Sequence, residues 1–156
     1  MIKIDETLPI NIRPMSANDL KKVLEIEKIS FTDPWPESAF REGLTYPLHN
    51  FVVADHEGEI AGYASYYIEL GEARLTNIAV APEYRRKSIA KRLIKYILEV
   101  TAGAGCNYIF LDVRPSNKTA IDLYRKFGFF KLYDRPDYYS SPREDAAVMV
   151  KHLNED

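Results

Sequence analysis

Leu20, Val23, Leu24, Ile26 and Ile29 recur at helical spacing with Lys21, Lys22, Glu25 and Lys28 between them, which predicts an amphipathic helix over about 20–29. Ser16-Ala17-Asn18-Asp19 before it has the spacing of a capping box, with Asp in place of Glu. Asp33-Pro34-Trp35-Pro36 breaks this helix, because each proline moves its predecessor out of the helical region, and a short second helix runs from Glu37 to about Leu44. The helical period returns in Ile89, Leu93 and Ile97 and in Ala90, Ile94 and Leu98, predicting a helix over about 88–101 that Gly103 and Gly105 end. It appears once more in Ala120, Leu123, Tyr124 and Phe127, with Gly128 as the C-terminal cap.

Between these stretches lie shorter apolar runs. Asn11–Met15 reads as a first strand, and Phe51–Ala54 and Ile60–Leu70 read as a hairpin turning at 56–59. Further strands follow at 72–80, 108–113, 129–133 and 146–153, the last two separated by a loop rich in Asp, Pro, Tyr and Ser. Strands alternate with helices in the middle and pair antiparallel at the flanks, so the expected class is a mixed-sheet α/β (α+β) fold. A chain of 156 residues suits one domain, taken as 1–156.

Composition narrows the function. The balance of 21 basic against 23 acidic residues excludes a general nucleic-acid binder, so any basic site must be local. Cys106, the single cysteine, cannot make an internal disulfide and reads as a small core residue without a catalytic role. His49, His56 and His152 lack the close spacing of metal ligands, and no metal is expected. No run has the length of a membrane span, and residues 1–10 lack the apolar core of a signal peptide. The expectation is a soluble cytoplasmic protein, a monomer or weak dimer, with no membrane partner.

Chemistry concentrates between Leu75 and Phe129. Strand Leu75–Val80 passes through Ala81-Pro82-Glu83-Tyr84 into Arg85-Arg86-Lys87-Ser88-Ile89-Ala90, which opens a helix. Positive charge and free backbone N–H groups at a helix start suit an anion such as a diphosphate, although such charges on their own also read as a solvated face. A second strand-to-helix unit follows, Tyr108–Arg114 and then Pro115-Ser116-Asn117. Asn117 reads as a helix N-cap. Tyr124 shares an apolar face with Ala120 and Phe127 and also reads as a core residue.

The order of these elements, the basic turn after Ile78-Ala79-Val80, and Leu111-Asp112-Val113-Arg114-Pro115-Ser116-Asn117 followed by Leu123-Tyr124 and Phe127-Gly128-Phe129 resemble the GNAT N-acetyltransferases. Pro34-Trp35, Asp137-Tyr138-Tyr139 and Arg143-Glu144-Asp145-Ala146 resemble the RimI-type enzymes within them, which acetylate N-termini of ribosomal proteins, including archaeal relatives. The likeness runs from Ile12 to about Met149. It implies a mostly antiparallel sheet with a central, splayed parallel strand pair, those ending at Val80 and Val113, flanked by about four helices. Acetyl-CoA is then the co-substrate, wedged between the two strands. Its pantetheine would run along Ile78, Ala79 and Val80, its diphosphate would sit on Arg85, Arg86, Lys87, Ser88, Ile89 and Ala90, and Asn117 would be a further contact. Ser88 stands where the family turn has glycine, and Ala90 where it often does. If Ser88 takes positive φ, the cost is on the order of 1 kcal/mol, and its hydroxyl can donate to a phosphate in return.

By the same resemblance Tyr124 is the general acid toward the coenzyme sulfur, with direct transfer in a ternary complex. Asp112 stands where the RimI-like base is glutamate. One methylene shorter, it favours relay through a water; the other reading is a strand-end Asp paired with an Arg. An α-amine has pKa about 8 and lysine about 10.4, so neutralising lysine at pH 7 costs roughly 3 kcal/mol more, and the shorter base argues for α-amine acceptors. Trp35, Tyr138 and Tyr139 resemble groove residues for a peptide, and Glu72 one near the acceptor amine; core packing or solvation is the other reading of each. The expected function is acetylation of a protein N-terminus, on a ribosomal protein. Acetylation of a small amine and a CoA-binding protein with weak or lost catalysis are the alternatives.

Overall fold

The computed structural model describes residues 2–154. The strands are β1 (Asn11–Pro14), β2 (His49–His56), β3 (Glu59–Glu69), β4 (Glu72–Val80), β5 (Tyr108–Val113), β6 (Phe130–Ser140) and β7 (Arg143–His152). The α-helices are α1 (Leu20–Ser30), α2 (Glu37–Thr45), α3 (Ile89–Gly103) and α4 (Lys118–Lys126), with short 3-10 turns at Ala17–Asp19 and Pro82–Tyr84. Strand order is β1-β2-β3-β4-β5-β7-β6 in one seven-stranded sheet. As expected, the sheet is mixed and mostly antiparallel, with β4 and β5 parallel. None of the described helices is long and apolar enough to cross a membrane.

The chain divides into two compact units, one holding Ile4–Tyr67 and Leu75–Ile97, the other Ile68–Arg74 and the chain from Leu98 onward. In the first, Val23, Ile26, Phe40, Val53, Tyr63, Leu93 and Ile97 are fully buried. Arg13 binds Asp19 and Asp55, and Asp19 closes the capping box on Ser16, fixing the entry to α1. At Gly62 an added Cβ would stand 2.8 Å from the Ala79 carbonyl oxygen, so the missing side chain lets β3 lie close to β4.

Two residues of α1 depart from the predicted pattern. Ile29 is exposed and Glu27 is buried, because Leu20, Val23 and Glu27 at i, i+3 and i+7 share the inward face. Glu27 Oε1 accepts from Asn77 Nδ2 of β4 at 2.7 Å and from the Tyr63 hydroxyl of β3, and Oε2 accepts from the Trp35 backbone N–H at 2.8 Å. Its charge raises the Tyr63 phenol pKa, although burial contributes more.

In the second unit β4 pairs with β5 over Glu72–Arg74 and Tyr108–Phe110, and β7 pairs along all of β5 from Tyr108 to Val113. Ile109, Leu111, Val113 and Ala146–Val150 form its core. The predicted loop between the last two strands is instead a hairpin, β6 and β7 joined at the cis Ser141–Pro142 bond. Pro136 is accommodated because β6 is an edge strand and its register with β7 shifts between Arg135 and Tyr139, where Asp137 takes φ +50°.

Replacing Glu27 with Ala strands two buried donors, on Tyr63 and Asn77, and the part-buried Trp35 N–H. Glu27→Ala is expected to lower the unfolding free energy by about 3 kcal/mol, read by denaturant titration.

Candidate functional site

The turn between β4 and α3 is built from left-handed backbone. Arg86 has φ +63° and Ser88 φ +60°, with extended Arg85 before them and α3 starting at Ile89. The turn thus leads directly into the start of α3, where backbone N–H groups without intrahelical acceptors favour an anion. Arg85, Arg86 and Lys87 are exposed around it, while Ser88 and Ala90 are half-buried. The condition set by the glycine-to-serine departure is therefore met: Ser88 does adopt positive φ, and Arg86 does too.

The Ser88 hydroxyl has one defined partner. Its Oγ accepts from the Asp5 backbone N–H at 3.0 Å, which leaves the O–H free to donate, while its carbonyl accepts from Arg92 N at 2.9 Å. Arg92 in turn donates to the Leu8 carbonyl at 2.6 Å, so the segment before β1 is tied to the first turns of α3. On β4, Ala79 is buried and Ile78 and Val80 are half-buried. Asn77 fixes this end of the strand, its Nδ2 donating to Glu27 and its Oδ1 accepting from Ile78 N. Trp35, in the same unit, packs on Phe40 at 5.6 Å and His49 at 6.1 Å, and its backbone is held by Glu27.

The second unit gathers Asp112, Tyr124, Tyr138 and Tyr139. Asp112 extends from β5, on the face opposite to Leu111 and Val113. Its Oδ2 accepts from Arg74 Nη1 at 3.1 Å, and its Oδ1 is buried with no close donor among the described residues. The pairing read as one alternative for Asp112 is thus present, and its arginine is Arg74. The Tyr138 phenol pKa is raised by burial, by the neighbouring Asp112 charge and by hydrogen bonding to that carboxylate, and that of Tyr139 is pushed up to about 12 by burial and the Asp112 charge. Tyr124 is buried, 5.7 Å from Phe129 between ring centres, and burial first, then Tyr139, raises its pKa. A raised phenol pKa means that Tyr124 keeps its proton throughout the neutral range.

A polar network holds this arrangement. Arg114 binds Glu144 at 3.2 Å and the Pro142 carbonyl at 2.8 Å, and stacks over the Tyr139 ring at 4.2 Å. Glu144 also accepts from Ser116 N at 2.8 Å and Ser116 Oγ at 2.9 Å, so the turn before α4 is tied to the hairpin. Arg143 binds Asp137, and Asp145 accepts from Asp137 N, which fixes the irregular stretch of β6. Asn117 caps α4 by accepting from Ala120 N at 3.2 Å. Glu72 does not join the cluster. It opens β4 opposite Tyr108, four residues before Asp112 and roughly 13 Å along the strand direction.

Arg74 and Glu27 escaped the sequence reading. Glu27 had a signal, a charge at core spacing on α1. The alternation along β4 puts Arg74 on one face, but its pairing with Asp112 follows only from the β4–β5 register.

The sequence matches the Acetyltransferase (GNAT) family over residues 20–129. A Bacillus subtilis protein named as a candidate ribosomal protein bS18-alanine N-acetyltransferase is 37% identical over 145 residues, covering 92% of this chain and 96% of that protein. The Escherichia coli (strain K12) ribosomal protein bS18-alanine N-acetyltransferase is 33% identical over 141 residues, covering 89% and 95%. The crystal structure of the ribosomal-protein-S18-alanine N-acetyltransferase from Escherichia coli superposes with a TM-score of 0.87 at 29% identity, covering 95% of this chain and 96% of that one.

The strain at Ser88 is directly measurable. Glycine takes φ +60° without steric cost, so Ser88→Gly is expected to stabilise the protein by about 1 kcal/mol in denaturant titration, and Ser88→Val to destabilise it.

Proposed function

Because the chain belongs to the GNAT family of acetyltransferases, we propose that it moves the acetyl group of acetyl-CoA onto the α-amine of a protein N-terminus, on a ribosomal protein, in the cytoplasm. The observation that carries this reading is the Asp112–Tyr124–Tyr138–Tyr139 cluster, in which Tyr138 and Tyr139 respond to the Asp112 carboxylate and Tyr139 in turn neighbours the buried, protonated phenol of Tyr124. The sequence relatives named for bS18-alanine acetylation support the acceptor.

In this reading the diphosphate rests on the N–H groups of residues 85–90, and the Ser88 hydroxyl donates to a phosphate oxygen. The pantetheine runs along Ile78, Ala79 and Val80, whose backbone N–H groups support the thioester carbonyl as oxyanion donors. Asn117 is a further coenzyme contact, through atoms its capping role leaves free. The neutral amine attacks the thioester carbon, forming the C–N bond. The C–S bond breaks and Tyr124 protonates the departing thiolate, while the amine proton passes to Asp112, directly or through one water. Tyr138 and Tyr139 on the hairpin, and Trp35 before α2, flank the peptide, and Glu72 meets positive charge further along it.

The test is tandem mass spectrometry of peptides beginning with Ala, Ser, Met or Glu, with spermidine as a control acceptor. Acetyl on the α-amine of a small first residue is expected; acetylation of spermidine alone would refute the reading. Tyr124→Phe is expected to lower kcat on the order of a hundredfold. Because burial holds the Tyr124 proton, raising pH from 7 to 9 should increase the parent rate as the α-amine is neutralised, with no loss from this acid.

A further inference from the structure

The Arg74–Asp112 pair leaves an asymmetric carboxylate. Arg74 Nη1 donates to Oδ2 at 3.1 Å, while Oδ1 is buried with no close donor among the described residues and the Tyr138 phenol adjoins the carboxylate. Asp112 is 14% exposed and Arg74 36%, so the guanidinium reaches solvent beside a carboxylate that is largely enclosed. It also lies 5.8 Å from the Phe110 ring centre, on the residue that the parallel register sets opposite Arg74. A guanidinium carries a permanent charge, so its single N–H bond to Oδ2 sets a full positive charge beside the carboxylate.

This bears on how an amine reaches the base. It can arrive neutral from solution, or as an ammonium ion that the carboxylate first binds and then deprotonates. At pH 7 about a tenth of an α-amine is neutral, but less than about one lysine in a thousand. A bare carboxylate would attract either ammonium ion. A carboxylate already paired with a fixed cation would not, since the nearby positive charge offsets the attraction. Closing the ammonium route costs an α-amine little, because its neutral form is abundant. It removes from lysine nearly the whole of its supply.

We propose that Arg74 is a specificity-determining residue, which by neutralising Asp112 from the Oδ2 side restricts the enzyme to acceptors that arrive uncharged and so excludes lysine side chains. The assignment deepens the proposed function and rests on Asp112 as the base. Oδ1 is then the oxygen that receives the amine proton, and Arg74 acts on the acceptor only through charge.

The experiment uses one peptide with an N-terminal alanine and a single internal lysine, incubated with acetyl-CoA and full-length protein. Tandem mass spectrometry gives the ratio of ε- to α-acetylation rates. Arg74→Gln keeps a donor toward Oδ2 but loses the charge, and the ratio is expected to rise about tenfold or more. Arg74→Lys keeps the charge and should retain the parental ratio, an outcome that loss of structure alone would not divide in this way. An unchanged ratio in Arg74→Gln overturns the inference, as does an equal rise in Arg74→Lys. If Arg74→Gln does not fold, Arg74→Met is read by the same criterion. Asp112→Asn, measured alongside, should slow α-acetylation at least about tenfold. Parental speed in that variant would remove the base and the inference together; a slowed Asp112→Asn with an unmoved Arg74→Gln ratio would remove the inference alone.

Discussion

A carboxylate buried inside α1 can persist only if its oxygens are satisfied, and the Ile4–Tyr67 and Leu75–Ile97 unit is organised around that requirement. Glu27 draws its donors from three places: the backbone before α2, Tyr63 of β3 and Asn77 of β4. Each bond fixes one element against the helix. Asn77 extends the chain of constraint by accepting from Ile78 N, at the start of the Ile78–Val80 stretch assigned to the pantetheine. The polar cost of Glu27 thus falls where it positions the backbone leading to the strained turn at Arg86 and Ser88.

The other unit applies the same logic to side chains. Arg114 and Ser116 both bind Glu144, joining the β5–α4 turn to the β6–β7 hairpin, and the Arg114 guanidinium also forms the platform for Tyr139. Arg143 and Asp145 converge on Asp137. The tyrosines beside Asp112 therefore stand on an edge strand whose irregular course is pinned by ion pairs and backbone bonds, and their phenols respond to the Asp112 charge. In the proposed mechanism, preorganisation of this kind would let a small carboxylate and a phenol act without rearranging at the moment of reaction.

The helices were legible in the sequence because each carries its own amphipathic stripe, a local signal. Asn117 as a cap, the capping box at Ser16 and Gly128 at φ +96° were local in the same sense. The positive φ at Ser88 was legible conditionally, through the glycine it replaces in the family turn. What escaped was non-local. Prolines and polar residues between 134 and 145 read as a loop, whereas pairing with β7 makes most of that stretch strand. Glu27 looked like one charge among several on α1 until burial distinguished it, and Arg74 could be matched to Asp112 only once β4 and β5 were in register.

In the proposed mechanism Asp112 and Tyr124 meet the two ends of the same transfer, the amine and the sulfur. A crystal structure with a conjugate joining the coenzyme sulfur to a peptide α-nitrogen tests this most directly. The nitrogen is expected within about 3.2 Å of Asp112 Oδ1, or bridged to it by one water, and the Tyr124 hydroxyl within about 3.5 Å of the sulfur. A conjugate bound with its sulfur away from Tyr124, or with the nitrogen facing some other group and Oδ1 still unpaired, would contradict the mechanism.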